Sequence, residues 1–284
     1  MGYTCILTDN ATQFTRPIFP GCKNIKFFNS KIELQENTYT DLQEARVVDF
    51  PRHINKANPV RLIPPTPDSI SEQITSYYQV YNDIFIALVS RELYPGYDVV
   101  EEIVKKLHGK ADIHLLDTQS IAIGQGQIIQ MAAEMSEKGI KPAIIEERLR
   151  EVVPHIYTLL CAPNFSYLHK SGFIDIGQAV SGEYLSFLPI FTLEDGRLNP
   201  VDKVKNIRNV IDYFIEFIDE FEKIDNISFI QPSPAGYTES KLIRQHIDEF
   251  YPMTSYSEHT INPFLASLIG PQGVGIVITE SIDD

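Results

Sequence analysis

The stretch of residues 63–96 constrains the fold of this chain more than any other. It begins with the loop IPPTPDS, whose prolines lack an N–H group and fix φ, so no helix can begin before the last of them, Pro67. Ser69 and Glu72 then have the spacing of a capping box, and apolar residues follow at helical spacing. The next segment, IFIALVS (Ile84 to Ser90), is a continuous apolar run, which is typical of a parallel strand buried on both faces.

The predicted helix and strand bring two distant loops to one edge of a sheet. About thirteen helical residues rise roughly 20 Å and seven strand residues about 23 Å, so the two elements match in length when they pack antiparallel. The helix start at 66–69 then lies beside the strand end at 90–96, at the carboxyl edge where open α/β sheets bind ligands. The residues expected in one polar patch there are Thr66, Ser90 and Arg91 or Tyr94, with Gly96 closing the second loop.

The remaining patterns predict a chain of two α/β domains. Strand and helix patterns alternate through the first half, which favours βαβ units and a parallel, Rossmann-like sheet in residues 1–154. Beyond Pro154 a hairpin with its turn at 195–196 mixes with helices and further strands. Residues 155–284 are therefore expected to form a second α/β domain with a mixed sheet, and a cleft between the domains is a common place for a ligand.

Composition narrows the classes of partner. The formal net charge of −14 disfavours nucleic acid and anionic lipid surfaces, and no apolar run approaches the length of a membrane span, so neither nucleic-acid binding nor membrane insertion is expected. The cysteines Cys5, Cys22 and Cys161 are odd in number and far apart, which indicates neither disulfides nor a zinc site. Together with the absence of a signal-peptide pattern, they favour a cytoplasmic protein.

The sequence carries no recognisable catalytic signature, and neither a metal nor a cofactor is expected. Thr8–Asp9 and Asp117–Thr118 end two predicted strands, so their carboxylates and hydroxyls meet at one sheet edge. They could act in acid–base chemistry, but capping of the following turn is the favoured interpretation. Gly124 and Gly126 open a helix and could bind an anion, although close helix–strand packing is the better explanation.

A set of motifs in fixed order resembles the DegV family over nearly the whole chain. They are ILTDNAT at 6–12, YTD at 39–41, the proline loop, LLDTQSIAIGQGQ at 115–127, FSYLHKSGFI at 165–174, LEDGRLNPVDK at 193–203 and IGPQGVG at 269–275. The resemblance implies two α/β domains holding a fatty acid, or another long-chain lipid, in an apolar tunnel at their junction. It also implies a non-catalytic role, with a fatty-acid kinase that makes acyl phosphate as partner.

Several residues differ from those that the family uses to bind the fatty-acid head group. Thr66 lies in a loop that is richer in hydroxyls in the family, Phe173 replaces an arginine, and Leu268, just before Gly270, replaces a histidine. These positions, with Asp9 and Thr118, complete the expected ligand site. Since an ionised carboxylate needs charged partners, either Arg91 supplies the missing charge or the ligand head is neutral or exposed to solvent.

Two other functions stay open at this stage. One is a hydrolase or transferase that uses the same sheet edge, with Asp9, Asp117 or a nearby hydroxyl as the acting group. The other is a divergent scaffold that binds another protein.

Overall fold

The computed structural model describes residues 4–55, 57–107, 111–233 and 240–282. These residues form two compact units. The first contains residues up to 31, 63–154 and 195–197, and the second contains 32–62, 155–194 and 198 onward. Residues 32–62, which the sequence analysis assigns to the N-terminal domain, thus pack with the second unit, and a lipid site at a junction of domains 1–154 and 155–284 stays a prediction.

The first unit contains a parallel sheet in which four strands are described, in the order β2-β1-β6-β7. These strands are β1 (Thr4–Asp9), β2 (Ile25–Phe28), β6 (Asp83–Leu88) and β7 (Asp112–Asp117). The helices of this unit are α1 (Pro67–Tyr78), α2 (Gly96–Lys106), α3 (Ala122–Glu137) and α4 (Pro142–Val152). The parallel Rossmann-like sheet expected from alternating strand and helix patterns is confirmed.

The strand order places a topological switch point between β1 and β6. The chain leaves β1 for β2 on one side, and later enters β6 on the other side of β1. The register pairs Leu7 with Ile86, so both strands end at the same level near Asp9 and Leu88. A crevice outside the carboxyl ends at such a point is the usual ligand position in open α/β sheets.

Helix α1 begins earlier than the predicted capping box implies. Its first residue is Pro67, and its N-cap is Thr66, whose hydroxyl accepts a hydrogen bond from the Ser69 N–H at 3.3 Å. Proline is well tolerated there because the first N–H groups of a helix have no partner inside the helix. The capping box at Ser69 and Glu72 is therefore wrong.

The second unit contains a mixed sheet in which six strands are described, in the order β10-β9-β8-β13-β11-β12. Its strands are β8 (Ile156–Cys161), β9 (Leu188–Glu194), β10 (Arg197–Val204), β11 (Ile224–Gln231), β12 (Ser255–Thr260) and β13 (Val274–Glu280). Strands β11 and β12 run parallel, whereas β13 runs antiparallel to both β8 and β11. The mixed sheet with a hairpin is thus confirmed.

The remaining described elements of the second unit are helices and a small separate sheet. The helices are α5 (Phe165–Lys170), α6 (Ile176–Leu185), α7 (Ile207–Ile218), α8 (Ser240–Phe250) and α9 (Pro263–Ile269). A smaller sheet contains β3 (Lys31–Leu34), β4 (Asn37–Tyr39) and β5 (Val60–Ile63). The segment between β4 and β5 is tied to α5, because the Tyr167 hydroxyl donates to the Pro51 carbonyl at 2.6 Å.

The sequence also predicts that Gly109 ends one helix and that another helix begins at Ala235. Both residues lie outside the described residues. No helix in the described part of the chain is both long and apolar enough to cross a membrane.

Candidate functional site

A cavity of about 150 Å³ lies in the first unit, at the switch point between β1 and β6. Its lining residues are Asp9, Phe28, Ser30, Pro64, Pro65, Pro67, Ile70, Leu88, Tyr94, Pro95, Gly96, Val99 and Val100. They come from the carboxyl ends of the strands, the proline loop with the start of α1, and the second loop with the start of α2. The two loops that the sequence analysis brings to one sheet edge therefore share one cavity.

The walls of this cavity are apolar because they are formed by the inner faces of two amphipathic helices. Ile70 of α1 and Val100 of α2 are buried against the sheet, next to Phe28 and Leu88 at the strand ends. The prolines add ring surface without an N–H group that would need a partner. Such a lining favours hydrocarbon, which gains about 0.8 kcal/mol for each CH₂ removed from water.

One corner of the cavity is polar, and Asp9 is its centre. The Asp9 carboxylate accepts hydrogen bonds from the N–H groups of Ala11 and Val89, at 3.0 and 2.8 Å, and from the Gln125 side-chain amide at 3.0 Å. The bond to Ala11 closes the turn after β1, as the capping interpretation expects. The bond to Val89 links the ends of β1 and β6, so Asp9 fixes the geometry of the switch point.

Burial raises the pKa of Asp9 above its ordinary value, and the three hydrogen bonds oppose that shift. The other polar side chains in the corner are Ser30 and Tyr94, whose hydroxyl oxygens lie 3.4 Å apart. Burial raises the pKa of Tyr94 to about 12, so this phenol is neutral at physiological pH. The corner therefore offers hydrogen-bonding oxygens around a buried acid.

The predicted polar patch is only partly assembled. Tyr94, Gly96 and Asp9 line the cavity, whereas Thr66 and Ser90 are not among its lining residues. As described above, Thr66 caps α1. The buried Ser90 hydroxyl donates to the Gly196 carbonyl at 2.7 Å.

Arg91 and Thr118 also lie outside the lining of the cavity. Arg91 forms an ion pair with Asp98 in the first turn of α2, and its guanidinium lies 4.9 Å from the centre of the Tyr97 ring. Thr118 is fully buried, and its hydroxyl donates to the Leu88 carbonyl at 2.7 Å, which links the ends of β7 and β6. Both side chains have local structural roles.

Phe173, Leu268 and Gly270 lie in the second unit, and each has a role in its local structure there. The Phe173 N–H donates to the Leu168 carbonyl at 3.0 Å, and the Leu268 carbonyl accepts from Ser171 at 3.0 Å. Gly270 has φ of 94°, and a Cβ at this position would lie 2.4 Å from the Asn164 side chain. A role of these residues in ligand binding stays a prediction.

The lining residues that the sequence did not point to include Ser30, and Val99 and Val100 of α2. Ser30 follows β2, and its backbone N–H donates to the Asn10 side chain at 3.2 Å, which joins the segments after β1 and β2. The adjacency of β1 and β2 was the missing information, because it does not follow from either strand alone. Val99 lies in an apolar stripe at helical spacing, and such a stripe does not reveal that one of its members faces a cavity.

The cysteines give a chemical test of the core. Burial raises the pKa of both Cys5 and Cys161 to about 12, whereas Cys22 is partly exposed. We therefore expect one thiol per chain to react rapidly with a thiol reagent in native buffer and all three in denaturant, since the thiolate is the reactive form. Rapid reaction of more than one thiol in the native protein would contradict the burial of the other two.

The strand order and the cavity define a class: an α/β protein with an apolar cavity at the switch point of a parallel sheet. Within the described residues, no group of His, Cys, Asp and Glu has an arrangement that could hold a metal ion. A family model described as the DegV family matches residues 4–281. The chain belongs to the DegV family.

Known relatives cover almost the full chain at low identity. A DegV domain-containing protein of Staphylococcus aureus is 22% identical over 281 residues, which are 97% of this chain and 98% of the relative. The structure of a fatty-acid-binding DegV family protein from Thermus thermophilus matches with a TM-score of 0.82 at 17% identity, and the match covers 99% of this chain and 100% of that one. The Fatty Acid Kinase (Fak) B3 protein of Streptococcus pneumoniae, loaded with linoleic acid, has a TM-score of 0.82 at 12% identity, covering 98% and 99%.

Proposed function

We propose that this protein binds a long-chain fatty acid or a similar lipid without transforming it. The observation that carries the proposal is the apolar cavity at the switch point of the first unit, in a chain that belongs to the DegV family. Solved structures with the same fold include a fatty-acid-binding DegV family protein and a protein loaded with linoleic acid, which supports the choice of ligand.

The size of the cavity determines how a lipid would occupy it. A volume of about 150 Å³ is smaller than the roughly 300–1,000 Å³ that is usual for small-molecule pockets. It therefore accepts a segment of an acyl chain, and the rest of a long chain lies outside it. The side chains of Ile70 and Val100 are among those that would contact this segment.

The polar groups at the sheet edge support binding rather than catalysis. Both oxygens of the Asp9 carboxylate already accept N–H groups, and Ser90 and Thr118 donate to backbone carbonyls. The raised pKa values of Cys5 and Cys161 keep these thiols protonated, so neither supplies a nucleophile. Turnover of generic ester or phosphate substrates by the purified protein would support the hydrolase or transferase alternative instead.

A fatty-acid kinase is the partner that we propose for this protein, on the basis of its fold similarity to the Fak B3 protein. In that role the protein would present the bound acid to the kinase. Formation of acyl phosphate from the loaded protein, a fatty-acid kinase and ATP tests this part of the proposal independently of lipid binding.

The binding proposal predicts that purified protein yields lipid on denaturing extraction, and that filling the cavity removes it. Val99→Trp places a large ring among the lining residues, so we expect at least a ten-fold lower molar ratio of extracted lipid, measured by mass spectrometry. Val80→Trp is the matched control, since Val80 is 65% exposed and does not line the cavity. Thermal melting of both variants separates loss of lipid from loss of folding, and equal lipid content in the two folded variants would contradict the proposed position.

A further inference from the structure

The loop that follows β6 forms one wall of the cavity and is built around Ser90. Residues 94–96 of this loop line the cavity. The N–H groups of Leu93 and Tyr94 both donate to the Ser90 carbonyl at 3.1 Å. The Ser90 hydroxyl oxygen also accepts from the Glu92 N–H at 3.2 Å. The position of Ser90 therefore determines where the lining residues of this loop lie.

The hairpin tip, defined as residues 195–197, holds this loop at two points. These residues belong to the first unit, although they connect β9 to β10. The buried Ser90 hydroxyl donates to the Gly196 carbonyl at 2.7 Å. Arg197 Nε donates to Glu92 Oε2 at 2.9 Å in an ion pair between exposed side chains. The tip thus contacts the first and the third residue of the loop.

Gly196 allows the hairpin tip to approach the loop closely. Its φ is +77°, a conformation that glycine adopts without strain. A Cβ at this position would lie 2.3 Å from Ser90 Oγ and 3.2 Å from Ser90 Cβ. The glycine of the motif LEDGRLNPVDK therefore serves both the turn and the contact with Ser90.

Of the two loops that line the cavity, the loop after β6 depends more on such side-chain contacts. The prolines of the other loop have fixed φ angles, which limit the positions that this loop can take. A hydrogen bond between neutral groups and an exposed ion pair each stabilise a contact modestly. The hairpin tip therefore holds the loop after β6 in place with interactions that are weak enough to open.

We propose that Ser90, Glu92 and Arg197 are positioning residues of the lipid site, which hold the loop after β6 as a wall of the cavity and slow the release of the bound lipid. None of the three lines the cavity, so they act through residues 94–96. This inference rests on the proposed lipid-binding function and adds control of ligand release to it.

The test measures how fast a fluorescent fatty acid leaves the loaded protein after mixing with excess unlabelled hexadecanoate. Arg197→Ala removes the ion pair, and we expect the dissociation rate constant to rise about three-fold. Ser90→Ala removes the buried hydroxyl, and we expect a rise of about five-fold or more. Arg208→Ala is the matched control, because it removes a similarly exposed ion pair, to Asp212 at 3.0 Å on α7, and should leave the rate unchanged.

A reversed ion pair separates positioning from a general loss of stability. The double variant Glu92→Arg with Arg197→Glu restores an attraction between loop and tip, so its release rate should return to within about two-fold of the wild type. Wild-type rates in Arg197→Ala and Ser90→Ala, or an equal rise in Arg208→Ala, would overturn the inference and leave lipid binding intact. A wild-type protein that binds no fatty acid would overturn the proposed function itself.

A fluorescent reporter detects movement of the loop without any lipid. The chain contains no tryptophan, so Tyr94→Trp introduces a single one at the cavity wall, where Tyr94 is 9% exposed. Adding Arg197→Ala or Ser90→Ala should at least double the acrylamide quenching constant of this tryptophan, and Arg208→Ala should not change it. Equal quenching in all of these proteins would show that the hairpin tip does not position the loop.

Discussion

Gly126→Val is expected to lower the free energy of unfolding by about 3 kcal/mol or more, because the valine side chain has no space. A Cβ at Gly126 would lie 2.0 Å from the Gln13 carbonyl oxygen and 2.7 Å from its carbon. These are backbone atoms, held in place by the hydrogen bond from the Gln13 N–H to the Ala122 carbonyl at 3.0 Å. The side chain can therefore enter only if α3 moves away from the segment that follows β1. Urea unfolding followed by circular dichroism measures the loss.

Gly139→Ala is the control for this substitution. Gly139 follows the same helix with φ of +73°, and a Cβ there would have no atom within 4 Å. Only the backbone penalty of the left-handed region remains, about 1–2 kcal/mol. If Gly126→Val cost no more than Gly139→Ala, close packing would not explain the glycine, and the alternative interpretation of Gly124 and Gly126 as an anion site would regain weight.

The parts of the fold that local pattern determines were predictable. The apolar run at Ile84 to Ser90 forms β6 and its end, because a strand buried on both faces must be apolar along its length. Gly96 opens α2, and the prolines delay α1 until Pro67, as their missing N–H groups require. The position of the two loops at one sheet edge followed from the matching lengths of the helix and the strand between them.

Features that depend on distant partners were not predictable in the same way. Residues 32–62 pack with the second unit through contacts such as Tyr167 to Pro51, which no local pattern indicates. Helix α6 was missed because several of its apolar residues, such as Ile176 and Val180, are exposed, so it lacks the usual pattern of one buried stripe.

The candidate site shows the same division between local and distant information. Asp9 was predicted at the sheet edge because it ends a strand, and Tyr94 because it lies in the loop after one. Ser90 and Arg91 follow β6, as Tyr94 does, but their side chains do not line the cavity. Ser90 contacts Gly196, and Arg91 contacts Asp98. Sequence position locates a residue at an edge, and only its partners decide which way its side chain points.

Asp9→Ala is expected to produce the second large loss of stability, again about 3 kcal/mol or more. The substitution leaves the N–H groups of Ala11 and Val89 and the Gln125 amide without their acceptor, and each such buried donor costs roughly 1–3 kcal/mol. In a Gln125→Ala background one of these donors is already absent, so Asp9→Ala should cost less there than in the wild type. A double-mutant cycle should therefore show a clear coupling energy, and additive losses would mean that this hydrogen bond contributes little.

The pH dependence of this loss shows which force dominates at Asp9. Because burial raises the folded-state pKa of Asp9, the folded protein holds this proton at pH values where the unfolded chain has released it. The contribution of Asp9 to stability is then fully present below the unfolded pKa and declines as pH rises through the folded one. The gap in unfolding free energy between wild type and Asp9→Ala should therefore shrink from about pH 4 to neutrality. Asp117, whose pKa burial also raises, is present in both proteins and cancels from the difference. A gap that widens with pH would instead show that the three N–H groups favour the ionised carboxylate more strongly than burial opposes it.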